Sequence, residues 1–461
     1  PLPVADGSSL DLMKFKRITL ISTVVWVAIG AALIVLNAKK KSVCRPLLMA
    51  VCTVLIIMQS ASLVSIGAEQ KPLQQEGPER LMTTQGLYEV SENENVIVFV
   101  LDFFETRLLR DNLLSNDPTV LDEFTGFTFF ENSTGSMIPT RYGVPFLLTG
   151  QLPQDGDTAE EYLKGRFDRS TFIKDVYDQG YTVDVYTDTL PSENYDEYID
   201  NIITVDGLEM NTPSLLASLG KMSLYREAPW ILKPLFWFST DEVNRTAISD
   251  EMSPYVIDDA AYGDRLRKDG LSFSDAEKSF HFIHLMGAHF PFTMDAEGRL
   301  SSEETDKATQ AHGTLSIVTD YFKQLKELGV YDEATIVVTS DHGDFILTEE
   351  PLDRSVSPIL LVKPAETPEE AAQPLKFSDV PTGHIDFHAT VIDAVGGDAS
   401  KYGPTVFEIG EEERERIYWT TLSDGKQDVA WEEYVINGDV HDLENWERTG
   451  KRIDVPPRET S

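Results

Sequence analysis

Two stretches, Ile18 to Leu36 and Pro46 to Gly67, carry no charged side chain at all. Each is close to the roughly 20 residues that a helix needs to cross the hydrocarbon core of a bilayer. A pair of buried core helices is the alternative, yet nothing else in the chain is so uniformly apolar over that length. The sequence therefore predicts two transmembrane helices within a membrane segment, residues 1–67, and a soluble part after them. The loop between the spans holds Lys39, Lys40, Lys41 and Arg45, and loops rich in Lys and Arg tend to stay in the cytoplasm. Lys14, Lys16 and Arg17, ahead of the first span, pull the other way. The loop places everything after Gly67 outside, in a multi-pass protein of the cell membrane with an extracytoplasmic soluble domain.

Those seven basic residues, with Asp6 and Asp11, are the charges before Ala68; taken from the chain's 39 basic and 77 acidic residues they leave 32 and 75, a formal charge of −43. Such a surface repels nucleic acid and anionic headgroups and attracts divalent cations. Both cysteines, Cys44 and Cys52, fall in the membrane segment. The soluble part has no disulfide, and a domain of its size needs none.

Residues 68–94 are polar and broken by Pro72, Gly77 and Pro78, which reads as a linker. Asn95 to Leu101, NVIVFVL, is a continuous β-branched and aromatic run, the pattern of a strand covered on both faces in a parallel sheet. A helix from about Thr171 to Gln179, stopped at Gly180, leads into a strand Tyr181 to Tyr186. A second, from about Ala308 to Leu328, stops at Gly329 and leads into Thr335 to Val338. Helix alternating with apolar strand predicts an α/β fold with a largely parallel sheet flanked by helices, spanning residues 95–407. Beyond it, residues 408–461 change to short strand-like pieces, Arg416 to Leu422 and Tyr434 to Gly438, read as a small antiparallel appendage. The aromatic segment Leu224 to Phe238 has two readings, a membrane-interface element beside the anchor or a piece of the domain's own core. Its two prolines exclude one continuous helix.

Ligands collect at the carboxyl ends of strands in such sheets. Asp102 closes the first strand, and Asp341-His342 follows another within TSDHGD. Two carboxylates and an imidazole suit a divalent metal such as zinc or manganese. Capping and salt bridging remain the alternative for an Asp-His pair alone.

The run from Asp320 through Leu325 to TIVVTSDHGD resembles the helix, strand and metal loop shared by sulfatases, lipoteichoic acid synthases and phosphoethanolamine transferases of the alkaline phosphatase superfamily. The resemblance covers about Asn95 to Phe407. It implies an alkaline phosphatase-like core in which Asp102, Asp341 and His342 hold one divalent ion, manganese or zinc. Sulfatases take their nucleophile from the first position of Cys-x-Pro-Ser/Thr-Arg; here that position is Met137, in Met137-Ile-Pro-Thr-Arg141. Thr140, with the transferase spacing to Pro145, matches the threonine nucleophile of the phosphoethanolamine transferases and would itself bind the metal. Metal binding is one way to activate so weak a nucleophile. Capping of the following helix is the bland alternative for the same residue. Glu105 stands as a substitute ligand if the backbone turns.

His284 and His289 lie in HFIHLMGAHFPF, where three of the eight histidines fall within nine positions. The His-Phe-Pro-Phe piece resembles the substrate-facing loop of lipoteichoic acid synthases. His289 is accordingly expected to hold phosphoryl oxygens or to protonate the leaving group, with His284 and Arg141 as further substrate contacts; the alternative for Arg141 is an ion pair with one of the many acids. FILTEEPLDRSVSPILLVKP lacks the later histidine of the phosphoethanolamine transferases, which moves the expectation toward the lipoteichoic acid synthase branch. The stretch from His384 to Thr390 resembles a structural helix of the superfamily. The expected function is an extracytoplasmic phosphotransferase of phosphoglycerol or phosphoethanolamine type. It would act on phospholipid headgroups or envelope glycans through a phosphothreonine. The alternatives are a sulfatase-fold phosphodiesterase or sulfuric ester hydrolase, and a non-catalytic lipid-binding sensor.

Overall fold

The computed structural model describes residues 15–69, 79–205, 212–237 and 254–456. Lys14, the middle of the expected linker (70–78) and Phe238 lie outside them. The chain divides into two compact units, one of residues 1–80 and 204–253, the other of 81–203 and 254–461.

In the first unit, the two charge-free stretches fall within helices α1 (Lys16–Lys39) and α2 (Lys41–Glu69), which meet at Lys40. Helix α1 is long and apolar enough to cross a membrane, and none of its most apolar window is buried. Among the described residues it is the one helix that is so. The remainder of the unit is a helix, Thr212–Glu227, followed by a 3₁₀ turn, Trp230–Phe236. The break falls at Pro229, as prolines require.

The second unit is built on a seven-stranded sheet. Its strands are β1 (Glu94–Leu101), β2 (Thr128–Phe130), β3 (Thr182–Tyr186), β4 (Lys278–Leu285), β5 (Thr335–Thr339), β6 (Leu360–Lys363) and β7 (Lys376–Ser378). They lie in the order β7-β2-β6-β5-β1-β4-β3. All run one way except β6, which is antiparallel to both its neighbours, so the sheet is mixed rather than wholly parallel. Every residue of β1 after Glu94 is buried, because both faces are covered by helices, which is why the run reads as unbroken apolar sequence.

Helices of this unit start and stop where their sequence says. These are α3 (Thr140–Thr149), α4 (Phe172–Tyr177), α5 (Asp259–Asp269), α6 (Lys307–Leu328) and α7 (Phe387–Ala394). Asp306 caps α6 by accepting from the Thr309 N–H at 2.8 Å, and Gly329, in the left-handed conformation, ends it, satisfying orphan groups at each terminus. Helix α7 follows a single 3₁₀ turn at His384–Asp386.

The C-terminal part is a three-stranded antiparallel sheet of β8 (Glu415–Ser423), β9 (Asp428–Asn437) and β10 (Trp446–Asp454). It contains one strand more than the sequence suggests, since β10 is nearly all exposed and lacks an apolar face. Its arginines reach back instead, Arg448 to Glu432 at 2.6 Å and Arg452 to Glu432 at 3.2 Å. The sheet is also more than an appendage. Trp419 of β8 bonds through its backbone to Ser136 and Ile138, and Trp419 and Trp431 pack with Met137 and Tyr142, so this sheet holds the segment that enters α3.

Candidate active site

Strand register assembles the site. Thr339, the last residue of β5, lies opposite Val100, and Leu101, the last of β1, lies opposite Leu285. The residues that follow, Asp102, Ser340 to His342 and Met286 to His289, therefore emerge together at one edge of the sheet, the carboxyl ends of three adjacent parallel strands. The backbones then interlock: the Asp102 N–H donates to Leu285 O at 3.0 Å and the Ala288 N–H to Asp102 O at 2.8 Å. Gly287 is required here, at φ +61°, because a Cβ would sit 2.5 Å from the Asp102 nitrogen and oxygen. Buried Asp259 fixes the same loop by accepting from the N–H groups of Met286 (2.6 Å) and Gly287 (3.0 Å) and from the Thr314 hydroxyl (3.0 Å). Burial raises its pKa to about 6.

Thr140 is the first residue of α3 and is partly exposed. Its Oγ1 lies 3.0 Å from His342 Nε2 and 3.5 Å from Asp102 Oδ1. His342 Nδ1 donates to the Gly343 carbonyl at 2.9 Å, which leaves Nε2 as a lone pair. That lone pair is 3.2 Å from Asp341 Oδ2 and 3.5 Å from Asp102 Oδ1. His284, buried on β4, meets the Thr187 hydroxyl through Nδ1 at 3.0 Å. Its Nε2 and Asp341 Oδ2 are both buried without a hydrogen-bond partner. Asp102, His284 and Asp341 offer ligand atoms within 4.8 Å of one another.

Lone pairs so close repel unless something positive lies among them. The ionisation states carry the same message. Burial, reinforced by Asp341, raises the pKa of Asp102 well above the carboxylate range. Burial works in the same sense on Asp341, but the adjacent His342 and His284 outweigh it and hold its carboxyl below that range. Both imidazoles are pushed down chiefly by burial, which keeps them neutral as ligands must be. Two carboxylates, neutral imidazole nitrogen and a hydroxyl fit one divalent cation of the zinc or manganese kind.

The other expected residues are distributed around this cluster. His289 is partly exposed; its ring stacks on Phe290 at 4.4 Å and meets Phe103 edge-on at 5.5 Å. Phe103 also contacts His342 and Phe345, held at φ +61° by an N–H bond to Asp341 Oδ1 of 3.2 Å, a conformation rare for an aromatic residue. Glu105 is not among the residues that converge with Asp102. Of the two readings of Arg141, the ion pair is the one present. Its guanidinium forks onto Asp428 of β9, through Nε at 3.0 Å and through Nη2, and Tyr142 donates to the same carboxylate at 2.6 Å. His384 and His388 are buried, with His384 Nε2 3.3 Å from the Thr339 hydroxyl and His388 Nε2 3.0 and 3.1 Å from the Phe146 and Leu147 carbonyls near the end of α3.

Two elements of the site were not read from sequence. Asp259, 157 residues from Asp102, gave no signal beyond its helix-starting position. Lys307 lies 4.1 Å from the centre of the Phe103 ring and pairs with Asp344 at 2.9 Å, so a cation stands at the mouth beside His289's aromatic neighbour.

No protein-family model matches the chain, and no curated protein matches it. Solved structures do. A phosphonate monoester hydrolase from Silicibacter pomeroyi aligns at 15% identity over 77% of this chain and 88% of its own, with a TM-score of 0.42. A protein in the alkaline phosphatase superfamily from Vibrio parahaemolyticus aligns at 13% identity over 84% and 87%, with a TM-score of 0.42. The lipoteichoic acid synthase LtaP from Listeria monocytogenes aligns at 12% identity over 78% and 85%, with a TM-score of 0.38.

Proposed function

We propose that this chain is a metal-dependent enzyme of the alkaline phosphatase superfamily, transferring or hydrolysing phosphate esters through Thr140. The observation that carries the reading is the crowding of Asp102 Oδ1, Asp341 Oδ2, His342 Nε2 and Thr140 Oγ1 within 3.0–3.5 Å contacts, with His284 Nε2 buried and unpartnered beside them. A binding module has no use for such a set.

Asp102, Asp341, His342 and Thr140 would hold the ion, with His284 as a further ligand rather than the substrate contact expected from sequence. When bound, a divalent cation supplies the positive charge that lets a threonine hydroxyl ionise near neutral pH and that offsets charge on phosphoryl oxygens. Thr140, having lost its proton to water, attacks phosphorus; its Oγ–P bond forms as the ester P–O bond breaks. A protonated His289 gives the departing oxygen its proton. An acceptor hydroxyl or water then attacks the phosphothreonine, surrenders its proton to the now neutral His289, and frees Thr140. The start of α3 favours the negative charge that Thr140 carries, since helix N-termini attract anions.

The substrate class we infer is the phosphate ester of a lipid headgroup or envelope glycan, of phosphoglycerol or phosphoethanolamine type. An extracytoplasmic domain anchored by α1 and α2 would meet such esters at the membrane. Sulfuric ester hydrolysis is disfavoured because Met137, at the sulfatase nucleophile position, is fully buried against Tyr142, Trp419 and Trp431.

The test is turnover of a p-nitrophenyl phosphodiester by the manganese- or zinc-loaded chain. Thr140→Ala should abolish it with folding preserved, Thr140→Ser should retain part of it, and a covalent adduct should be found by mass on the Thr140 peptide of the wild type. A folded Thr140→Ala enzyme working at the wild-type rate would replace this mechanism with direct attack by water.

A further inference from the structure

The segment between the two stretches of the catalytic unit, residues 204–253, leaves that unit and belongs with the membrane helices. Helices α1 and α2 meet at Lys40 and contact one another. The 3₁₀ turn Trp230–Phe236 packs on α1, at the end away from Lys40. The Trp230 ring lies 5.2 Å from the Phe15 ring, and the Trp230 backbone N–H donates to the Ser22 hydroxyl at 3.2 Å.

The helix Thr212–Glu227 and the turn are one body. Buried Lys233 donates to the Tyr225 and Arg226 carbonyls, closing the helix's C-terminus, and lies between the rings of Tyr225 and Trp230. The body presents apolar side chains to its surroundings: Leu219, Leu224, Ile231, Leu232 and Leu235 are 42–72% exposed. Five large aliphatic residues exposed on 26 described residues need a cover.

Charge identifies the cover. In a chain with a net charge of −38, residues 212–237 hold Lys221, Arg226 and Lys233 against Glu227 alone, a net +2; Lys233 is buried, and Arg226, 3.4 Å from Glu227, is exposed. Of their aromatics, Tyr225 and Trp230 are buried, whereas Phe236 and Trp237 are half-buried. Exposed aliphatics, interfacial aromatics and positive charge, attached to the end of a span-length helix, are the chemistry of an element lying in the headgroup region of an anionic bilayer.

We infer that residues 212–237 form a second membrane contact. It is an interfacial element docked on α1, with Ile231, Leu232 and Leu235 in the acyl boundary and Arg226 among anionic headgroups. The inference rests on the membrane-anchored reading of α1, and it takes up the interface reading of the segment from Leu224. The catalytic unit would then be tied to the bilayer at two points along its chain.

The experiment uses the full chain with Cys44→Ser and Cys52→Ser, reconstituted in vesicles of phosphatidylcholine and phosphatidylglycerol. Nitroxides are placed singly by Leu235→Cys, by Val25→Cys on α1 and by Phe377→Cys on exposed β7. Collision with an aqueous nickel reagent should be near zero for Val25→Cys and full for Phe377→Cys. For Leu235→Cys it should fall at least about fivefold below Phe377→Cys, with a depth of roughly 5–10 Å into the headgroup and acyl boundary. Leu235→Cys as wet as Phe377→Cys, with Val25→Cys dry, overturns the second contact and leaves the anchor standing. Val25→Cys wet overturns the anchor and the second contact together.

Discussion

Gly143, three residues into α3, offers the sharpest test of how Thr140, the proposed nucleophile, is placed. A Cβ built there would lie 2.6 Å from the Asp341 carbonyl oxygen and 3.2 Å from both the Asp341 carbonyl carbon and the Met137 oxygen. All three are backbone atoms, so no side chain can swing aside. Reaching an ordinary contact of about 3.4 Å requires α3 and the Asp341 loop to separate by about 0.8 Å. Thr140 travels with α3, and Asp341 and His342 stay with the sheet. A 3.0 Å approach of Thr140 to His342 therefore opens by a similar amount. Overpacking of this kind costs about 1–3 kcal/mol, offset by the roughly 1 kcal/mol by which alanine exceeds glycine in a helix. The net stability change is small, about 0–2 kcal/mol lost. Turnover is the sensitive quantity, since a misplacement approaching 1 Å lowers rates by about 10- to 100-fold. Gly143→Ala should thus fall by that factor in kcat for a p-nitrophenyl phosphodiester while its urea midpoint moves little. A Gly143→Ala enzyme that is more stable and equally active would show that the glycine is merely a weak helix former, and that the close approach does not set Thr140.

His284→Ala should lower divalent-metal affinity at least about tenfold, whereas His289→Ala should keep the metal and lose turnover; equal metal content by elemental analysis in wild type and His284→Ala would remove His284 from the ligand set. Arg141→Ala should cost about 1–2 kcal/mol by denaturant unfolding, because Asp428 is buried and Arg141 is 43% exposed, and should change kcat by less than about threefold; a large kcat loss at unchanged stability would return Arg141 to the substrate. His388 is buried neutral with its pKa pushed down to about 4 from 6.5, so the unfolded chain binds its proton first as pH falls. Stability should drop from about pH 6.5 downward and level off near pH 4, by about 2 kcal/mol between pH 7 and pH 5. His388→Gln, which can still donate to the Phe146 and Leu147 carbonyls, should lose that increment of slope, and matching slopes in urea titrations of the two proteins would refute it.

The parts of the fold readable from sequence are those governed by local chemistry. NVIVFVL announces a doubly covered strand, and the cap at Asp306 and stop at Gly329 bracket α6 within a residue of the reading. Asp102, Asp341, His342 and Thr140 were singled out by their positions after apolar strands and in a motif, and the structure brings them together. What escaped depends on partners remote in sequence. Nothing near Arg141 marks Asp428, 287 residues on, as its acceptor. The buried, unpartnered Nε2 of His284 is visible only once β4 lies beside β1. The reversal of β6 follows from a connection, residues 340–359, that holds the Asp341-His342 loop in place of a crossover helix, and periodicity does not encode strand direction. Strand β10 is held by backbone pairing and by ion pairs to Glu432, which leaves no apolar alternation to read.

The strand order has a consequence for how such a chain is made. None of β1, β2 and β3 pairs with another of the three: β1 bonds to β4 and β5, β2 to β6 and β7, and β3 to β4. Every one of those partners is synthesised after residues 204–253. As the chain emerges, three apolar strands precede any neighbour that can accept their backbone groups, and all of their pairings are long-range. Such topologies close slowly and leave strand edges open to other chains in the meantime. The segment that interrupts the unit separates the early strands from their partners in time as well as in sequence. If it settles on the bilayer when it emerges, the early half waits beside a membrane rather than free in solution, and the sheet is completed around β1 by strands that arrive last.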